Sequence, residues 1–206
     1  MNLEFVLATH NPKKVREFQR IIGARMPGAV VHPYDGLQPV EDGLTFADNA
    51  LIKARAAAAH TGRIALADDS GLCVDVLNGM PGIFSSRWAG ISADDVANFR
   101  LVLSQISDIR RPHRGAEFRC TIALVVPEAV LPGGHEFVAE GVWRGAIAYE
   151  PRGSHGFGYD PIFEPEGLEV TSAELRPEQK DEQSHRSRAF TILLPELERV
   201  TGLTGE

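Results

Sequence analysis

A chain of 206 residues, 43% of them hydrophobic, can bury a full core as one domain over 1–206, single- or two-lobed. Its formal net charge of -7 argues against general affinity for polymeric nucleic acid or an anionic membrane surface, both of which need a basic face. A small anion held by a few local Lys and Arg stays compatible with that charge.

The longest apolar runs, such as Ile122–Val126, are far too short to span a bilayer. Met1–Phe5 lacks the basic start of a signal peptide. Cys73 and Cys120 lie in apolar strand-like runs and read as reduced core residues, so a cytoplasmic location is expected.

From the N-terminus, Leu3–Ala8 reads as a buried first strand running into Thr9-His10-Asn11-Pro12-Lys13-Lys14. A helix follows with Val15, Phe18 and Ile22 on one side; Asn11 suits its N-cap and Pro12 its first position. A second helix is expected from Thr45, with Asp48 completing a capping box and Gly62 as its stop. Its apolar stripe is Ala47, Ala50, Leu51, Ala54, Ala57 and Ala58. Ile64–Ala67 and Leu72–Val76 read as two strands either side of an acidic turn, Asp68-Asp69-Ser70-Gly71. A third helix is expected after Ser92, turning Val96, Phe99, Leu103 and Ile106 inward. Glu117–Val126 reads as a long strand, Glu136–Glu140 as its return after a Pro-Gly-Gly turn, and Ala146–Tyr149 as a further strand. The last helix starts near Ser184 and presents Phe190, Leu193, Leu194 and Leu197. Pro195 predicts a kink or an early end there, because it lacks an N–H and clashes one turn back. The fold class is α/β, and the pattern leaves the strand order open.

Four constellations can carry chemistry. Thr9–Lys14 leads into a helix N-terminus, where unpaired N–H groups and the positive dipole end suit phosphate and Lys14 adds a full charge. Ordinary capping with solvated lysines explains the same residues. Glu41, Asp42, Asp68 and Asp69 form a carboxylate set of the kind that holds Mg2+ with one or two members, while another takes a proton from water. The competing reading is a solvated acidic turn. In Gly153–Pro161, Gly156 and Gly158 let the backbone approach a ligand, and Phe157 or Tyr159 can stack on a flat ring; a rigid surface loop is an equal alternative. Lys180, Ser184, His185 and Arg186 put basic groups near the start of the last helix, where they oppose its dipole unless an anion binds. A solvated basic patch amid Glu178, Asp181 and Glu182 is the plainer reading. Asn49 and Lys53, four residues apart, either reach the acidic turn or face solvent. Trp143 reads as packing. A zinc site and a Ser70 nucleophile both lack the sequence context they need.

In this order, the segments LATHNPKKVREF, EDGLTFADNALIKA, ALADDSGLCVDVLNGMPGIFSSRWAG, GFGYDPIF and SAELRPEQKDEQSHRSRA resemble the Ham1/inosine triphosphatase family of nucleoside triphosphate pyrophosphatases. The resemblance implies a mixed central β-sheet with flanking helices and two lobes enclosing a nucleotide-binding groove. It implies Mg2+-dependent hydrolysis of noncanonical purine nucleoside triphosphates (ITP or dITP, and XTP) to the monophosphate plus pyrophosphate, by a homodimer. In its terms Thr9, His10, Asn11, Pro12, Lys13 and Lys14 contact the triphosphate. Glu41 and Asp69 hold Mg2+, and Asp69 is the general base with Asp68 in support. Ser70, Phe157, Gly158, Tyr159, Asp160, Lys180, His185 and Arg186 bind the nucleotide, the later group mostly around the base. Asn49 and Lys53 are secondary candidates. Two positions depart from the family pattern: His10 stands where glycine is frequent, and Ser187 where a glycine usually follows Ser-His-Arg.

Selecting hypoxanthine or xanthine over adenine turns on the 6-oxo group. Arg186, His185 and the backbone N–H groups of Gly156, Phe157 and Gly158 are candidate donors to it; a buried donor left unpaired against adenine rejects it strongly. Two other readings compete: a pyrophosphatase of modified pyrimidine triphosphates, as in Maf-like proteins, and a non-catalytic nucleotide-binding module. Retention of every acidic and basic group of the motif set argues against the last.

Overall fold

The structure is a computed structural model that describes residues 3–92 and 94–202. The strands are β1 (Glu4–Leu7), β2 (Val30–Pro33), β3 (Ala65–Val74), β4 (Met80–Pro81), β5 (Gly115–Val126), β6 (His135–Ile147) and β7 (Phe163–Pro165). The helices are α1 (Pro12–Arg25), α2 (Phe46–Thr61), α3 (Asp95–Gln105), α4 (Pro177–Gln183) and α5 (His185–Thr201). The strands pair in the order β2-β1-β3-β5-β6-β7, with β4 on β3. Pairing is parallel for β1 with β2 and β3, and antiparallel for β3 with β4 and for β6 with β7, so the sheet is mixed.

The chain divides into two compact units. The first takes the residues through Asp69, then Cys120–Gly141, then those from Arg186 onward; the second takes Ser70–Arg119 and Val142–His185. In the first unit the period-two alternation of strands sorts side chains by size. Phe5, Leu7, Leu66, Ile122 and Leu124 join α1 and α5 in one core, with Phe18, Ile21, Ile22, Phe190, Leu193 and Leu197. Val6, Ala8, Ala65, Ala67, Ala123 and Val125 join α2 in another, with Ala50, Ala54, Ala57 and Ala58. The second unit has its own core around Phe99, Val102, Phe118, Trp143, Ile147 and Phe163.

Local signals set the helix ends as expected. Asn11 caps α1 with Pro12 at its first position, Thr45 and Asp48 form the capping box of α2, and Gly62 closes α2 in the left-handed region. Four expectations need correction. The acidic stretch is no turn, because β3 runs unbroken through Asp68, Asp69, Ser70 and Gly71. The strands foreseen at 136–140 and 146–149 are one continuous β6 up to Ile147. On α3, Val102 is buried where Val96 was expected, and Val96 is exposed. Helix α5 continues to Thr201 with Pro195 inside it. Fully burying Phe190, Leu193 and Leu197 is worth about 4.5–9 kcal/mol, against roughly 3 for an interior proline, so packing wins. Helix α4 and strands β2, β4 and β7 carry no pattern strong enough to announce them.

Arg114 holds part of the second unit together. Its buried guanidinium donates to the carbonyls of Ile106 (2.6 Å), Ile109 (3.3 Å), Ile147 (2.9 Å) and Ala148 (2.9 Å), and lies over the Tyr149 ring.

Candidate active site

Because β3 does not turn, its two aspartates point to opposite sides of the strand. Asp68 follows Leu66 toward α1 and α5. Lys14 Nζ donates to its Oδ1 at 2.9 Å and Arg186 Nε to its Oδ2 at 3.2 Å; Arg186 also pairs with buried Glu17 at 3.4 Å. Burial by itself raises the Asp68 pKa, but Lys14, Arg186 and Lys53 together outweigh it and hold the carboxyl far below the ordinary carboxylate range. Asp68 is a fixed anion, unable to take up a proton near neutrality.

Asp69 follows Ala67 toward α2. The small alanines of that helix face bring the backbone close to the sheet, so Asn49 and Lys53 are buried rather than solvated. Lys53 Nζ donates to Asp69 Oδ1 at 3.1 Å and to Glu41 Oε2 at 3.2 Å. Asn49 Nδ2 approaches Asp69 Oδ2 at 3.4 Å, while its Oδ1 accepts from the Gly43 amide at 2.9 Å. Burial pushes the Asp69 pKa up and Glu41 adds to the rise, with Lys53 opposing. Lys53 is raised despite its burial, by Asp69, Asp68 and Glu41 in turn. Two carboxylates therefore share one ammonium, leaving an uncompensated negative charge in this trio. Among the described residues no three His, Cys, Asp or Glu side chains converge as a metal site. A pair of carboxylates with excess charge nonetheless suits a hard dication that takes most of its ligands from water and phosphate. Asp42 is exposed.

The 9–14 segment is more heavily capped than its sequence suggests. Thr9 Oγ1 accepts from the Asn11 amide at 3.1 Å, Asn11 Oδ1 accepts from the Lys13 amide at 2.9 Å, and Pro12 has no N–H. Of the first-turn amides only that of Lys14 keeps no partner among the described residues, so the expected cluster of open N–H groups reduces to one beside a lysine. His10 and Lys13 are exposed, and His10 Nε2 meets the Gly36 carbonyl at 2.9 Å.

In the second unit, buried Asp160 accepts from Lys180 Nζ (2.6 Å), Ser172 Oγ (2.8 Å) and the Phe157 amide (2.9 Å). The Lys180 ammonium also lies 5.5 Å from the Phe157 ring centroid, so this lysine is no part of a solvated patch. The Gly158 amide donates to Asp95 Oδ2 at 2.8 Å. The amides of Phe157 and Gly158, expected as donors to a 6-oxo oxygen, are thus already engaged by carboxylates. Tyr159 is buried, donates its hydroxyl to the Ser85 carbonyl at 2.7 Å, and has its pKa pushed up by burial and by Asp95. It is a core residue, which leaves half-buried Phe157 as the aromatic able to present a face. His185 is buried with its ring stacked on Phe118, centroids 4.8 Å apart. Ser70 lies half-buried within β3.

Sequence reasoning passed over Glu17, Asp95 and Ser172. Glu17 had a readable signal, since it sits beside Phe18 and four residues before Ile21 on a helix face that is otherwise apolar. Asp95 and Ser172 meet their partners 63 and 12 residues away, with no local pattern to mark them.

A mixed α/β sheet whose central strand carries one carboxylate held ionised and one whose pKa is raised, beside a lysine-bearing helix N-terminus, is an arrangement compatible with phosphate chemistry. The chain belongs to the Ham1 family, which it matches over residues 5–196. It is 57% identical over 196 residues to a dITP/XTP pyrophosphatase of Leifsonia xyli subsp. xyli, covering 95% of this chain and 96% of that one. It is 50% identical to a dITP/XTP pyrophosphatase of Streptomyces coelicolor, covering 96% and 98%. Among solved structures, a HAM1 protein from Coxiella burnetii superposes with a TM-score of 0.83 at 42% identity, covering 96% of this chain and 99% of that one. The dITP/XTP pyrophosphatase of Mycobacterium abscessus gives 0.72 at 48% identity, covering 94% and 100%.

Proposed function

We propose that this protein hydrolyses noncanonical purine nucleoside triphosphates, ITP or dITP and XTP, to the monophosphate and pyrophosphate. The observation that carries the reading is the split between the two aspartates: Asp68 is held ionised by Lys14 and Arg186, whereas Asp69 shares Lys53 with Glu41 and has its pKa raised by burial. Water cleaves the anhydride between the α and β phosphates, and its proton passes to an Asp69 oxygen. Lys53 holds Asp69 and Glu41 in place, and Asp68 holds Lys14 and Arg186. Thr9, His10, Asn11, Pro12, Lys13 and Lys14 form the segment that meets the triphosphate, its basic first turn suited to an anion at the helix N-terminus. Ser70, Phe157, Gly158, Tyr159, Asp160, Lys180, His185 and Arg186 serve nucleotide binding, with Phe157 the face for the base and Tyr159 acting from within the core.

Glu41 and Asp69 would hold Mg2+, whose chemistry there is neutralisation of charge on the phosphate oxygens. Excess negative charge on the Glu41–Lys53–Asp69 trio supports that assignment. The two buried free cysteines agree with a reducing, cytoplasmic setting, and among the described residues no helix is long and apolar enough to cross a membrane. A homodimer, as the resemblance implies, is checked by one sedimentation run. The deciding experiment is a panel of nucleoside triphosphates with Mg2+ and product identification, repeated for Asp69→Asn. Pyrophosphate from ITP or XTP with far slower turnover of ATP and GTP is expected; orthophosphate as the sole product refutes the reading.

A further inference from the structure

We infer that His10 is a positioning residue that ties the phosphate-facing segment to the loop carrying Glu41; the inference rests on the metal role proposed for Glu41. Residues 34–44 form no helix or strand, and Leu37, Val40 and Leu44 in that loop are 92%, 80% and 88% exposed. Such a loop gains almost nothing from burial, so a few polar attachments must set its course. Near its far end the Gly43 amide donates to Asn49 Oδ1, and between the ends the Glu41 carboxylate is held by Lys53. Near its start the Tyr34 hydroxyl holds the Leu37 carbonyl, and His10 is the attachment that comes from outside the loop.

The His10 ring stacks on buried Tyr34 with centroids 6.0 Å apart and planes 18° from parallel, and its Nε2 reaches the Gly36 carbonyl at 2.9 Å. A carbonyl oxygen only accepts, so Nε2 carries the proton in this contact. Tyr34 is fixed in turn, packed edge-on against His60 with its hydroxyl donating to the Leu37 carbonyl at 3.2 Å. Gly36 passes so close to Tyr34 that a Cβ there would overlap the phenol ring. His10 thus reaches from the residue after Thr9 into the loop five residues before Glu41, and Asn49, at the other attachment, also touches Asp69. Movement of the triphosphate-facing segment and placement of the Glu41 carboxylate are coupled through one imidazole.

The test compares the full-length wild type with His10→Phe, which keeps the stack but not the donor, and His10→Gln, which keeps an N–H donor at the same bond count. Amide hydrogen exchange over residues 36–42 is read together with the Mg2+ concentration giving half-maximal pyrophosphate release. Loss of one hydrogen bond predicts exchange roughly 2- to 10-fold faster in His10→Phe, and a shift of half-activation to higher Mg2+ by a similar factor. His10→Gln keeps loop exchange within about twofold of wild type, and exchange within α2 is unchanged in both variants. Loop exchange identical in wild type and His10→Phe overturns the inference, as does equal behaviour of the two variants. A wild type that releases no pyrophosphate overturns the functional reading instead, and the exchange data then decide the His10 tether alone.

Discussion

Replacing each of the two adjacent aspartates by asparagine should have opposite consequences for the fold. Asp68→Asn takes a carboxylate charge away from buried Arg186, which keeps its pair with Glu17, and strips the counter-charge from Lys14. Breaking a buried ion pair from one side costs about 3–5 kcal/mol. The lower end applies, because the partly exposed Lys14 can turn to solvent and the new amide oxygen still accepts one bond. At roughly 2–4 °C per kcal/mol for a chain of this size, about 3 kcal/mol lowers the melting temperature by about 6–12 °C. Asp69→Asn removes a charge that burial disfavours, while Lys53 keeps Glu41 and gains an amide oxygen; its stability should hold or rise, within about 1 kcal/mol.

The pH dependence follows from the directions of the two shifts. Asp68 has its pKa depressed in the fold, so its stabilisation is fully present above the unfolded value near ~3.9 and is lost as pH falls toward its folded value. Asp69 is raised, so its cost is present above its folded value and vanishes below the unfolded one. The gap in melting temperature between wild type and Asp68→Asn should be the same at pH 7 and pH 5 and narrow below about pH 4. Scanning calorimetry in EDTA, which removes any metal contribution at Asp69, reads both effects. Asp69→Asn melting below Asp68→Asn at pH 7 would falsify the assignment of the two carboxylates to different charge environments. Turnover separates the variants again, since Asp69→Asn should lose several orders of magnitude with its fold intact.

Removing the Arg114 fork takes a donor from four carbonyls, of which that of Ile106 keeps the Ile109 amide, so Arg114→Met should lower stability by about 3–5 kcal/mol in urea titration; Arg114→Lys should recover only part of it, because one ammonium cannot serve all four. Pro195→Ala, at an exposed position inside α5, restores a helical N–H and should stabilise by about 1–2 kcal/mol after the entropy returned to the unfolded chain. Lys53→Met leaves Asp69 beside Glu41 without the ammonium that bridges them, which raises the Asp69 pKa further. The acidic limb of the pH–rate profile should move to higher pH, and an unmoved limb refutes Asp69 as the titrating base.

What could be read from the sequence was what neighbours in the chain decide. The Asn11 cap and the Thr45–Asp48 box are contacts across two or three residues, and both formed as written. The acidic stretch misled because its local chemistry, Asp-Asp-Ser-Gly, favours a turn. The strand persists because Asp68 is met by Lys14 and Arg186, 54 and 118 positions away, and Asp69 by Lys53, 16 away. Lys180 was ambiguous for the same reason: amid charged neighbours it looked solvated, and only the fold supplies Asp160. Arg114 gave no signal at all, since its partners are four backbone carbonyls.

The discontinuity of the first unit has a consequence for synthesis on the ribosome. Its main core is incomplete until Ala189, Phe190, Leu193 and Leu197 exist, and Asp68 lacks one of its cationic partners until Arg186 is made. At translation rates of roughly 5–20 residues per second, that interval of 118 residues lasts about 6–24 s. For that time the nascent chain carries an aspartate with Lys14 but not Arg186 to offset its burial, so β3 has reason to stay unlocked until α5 emerges.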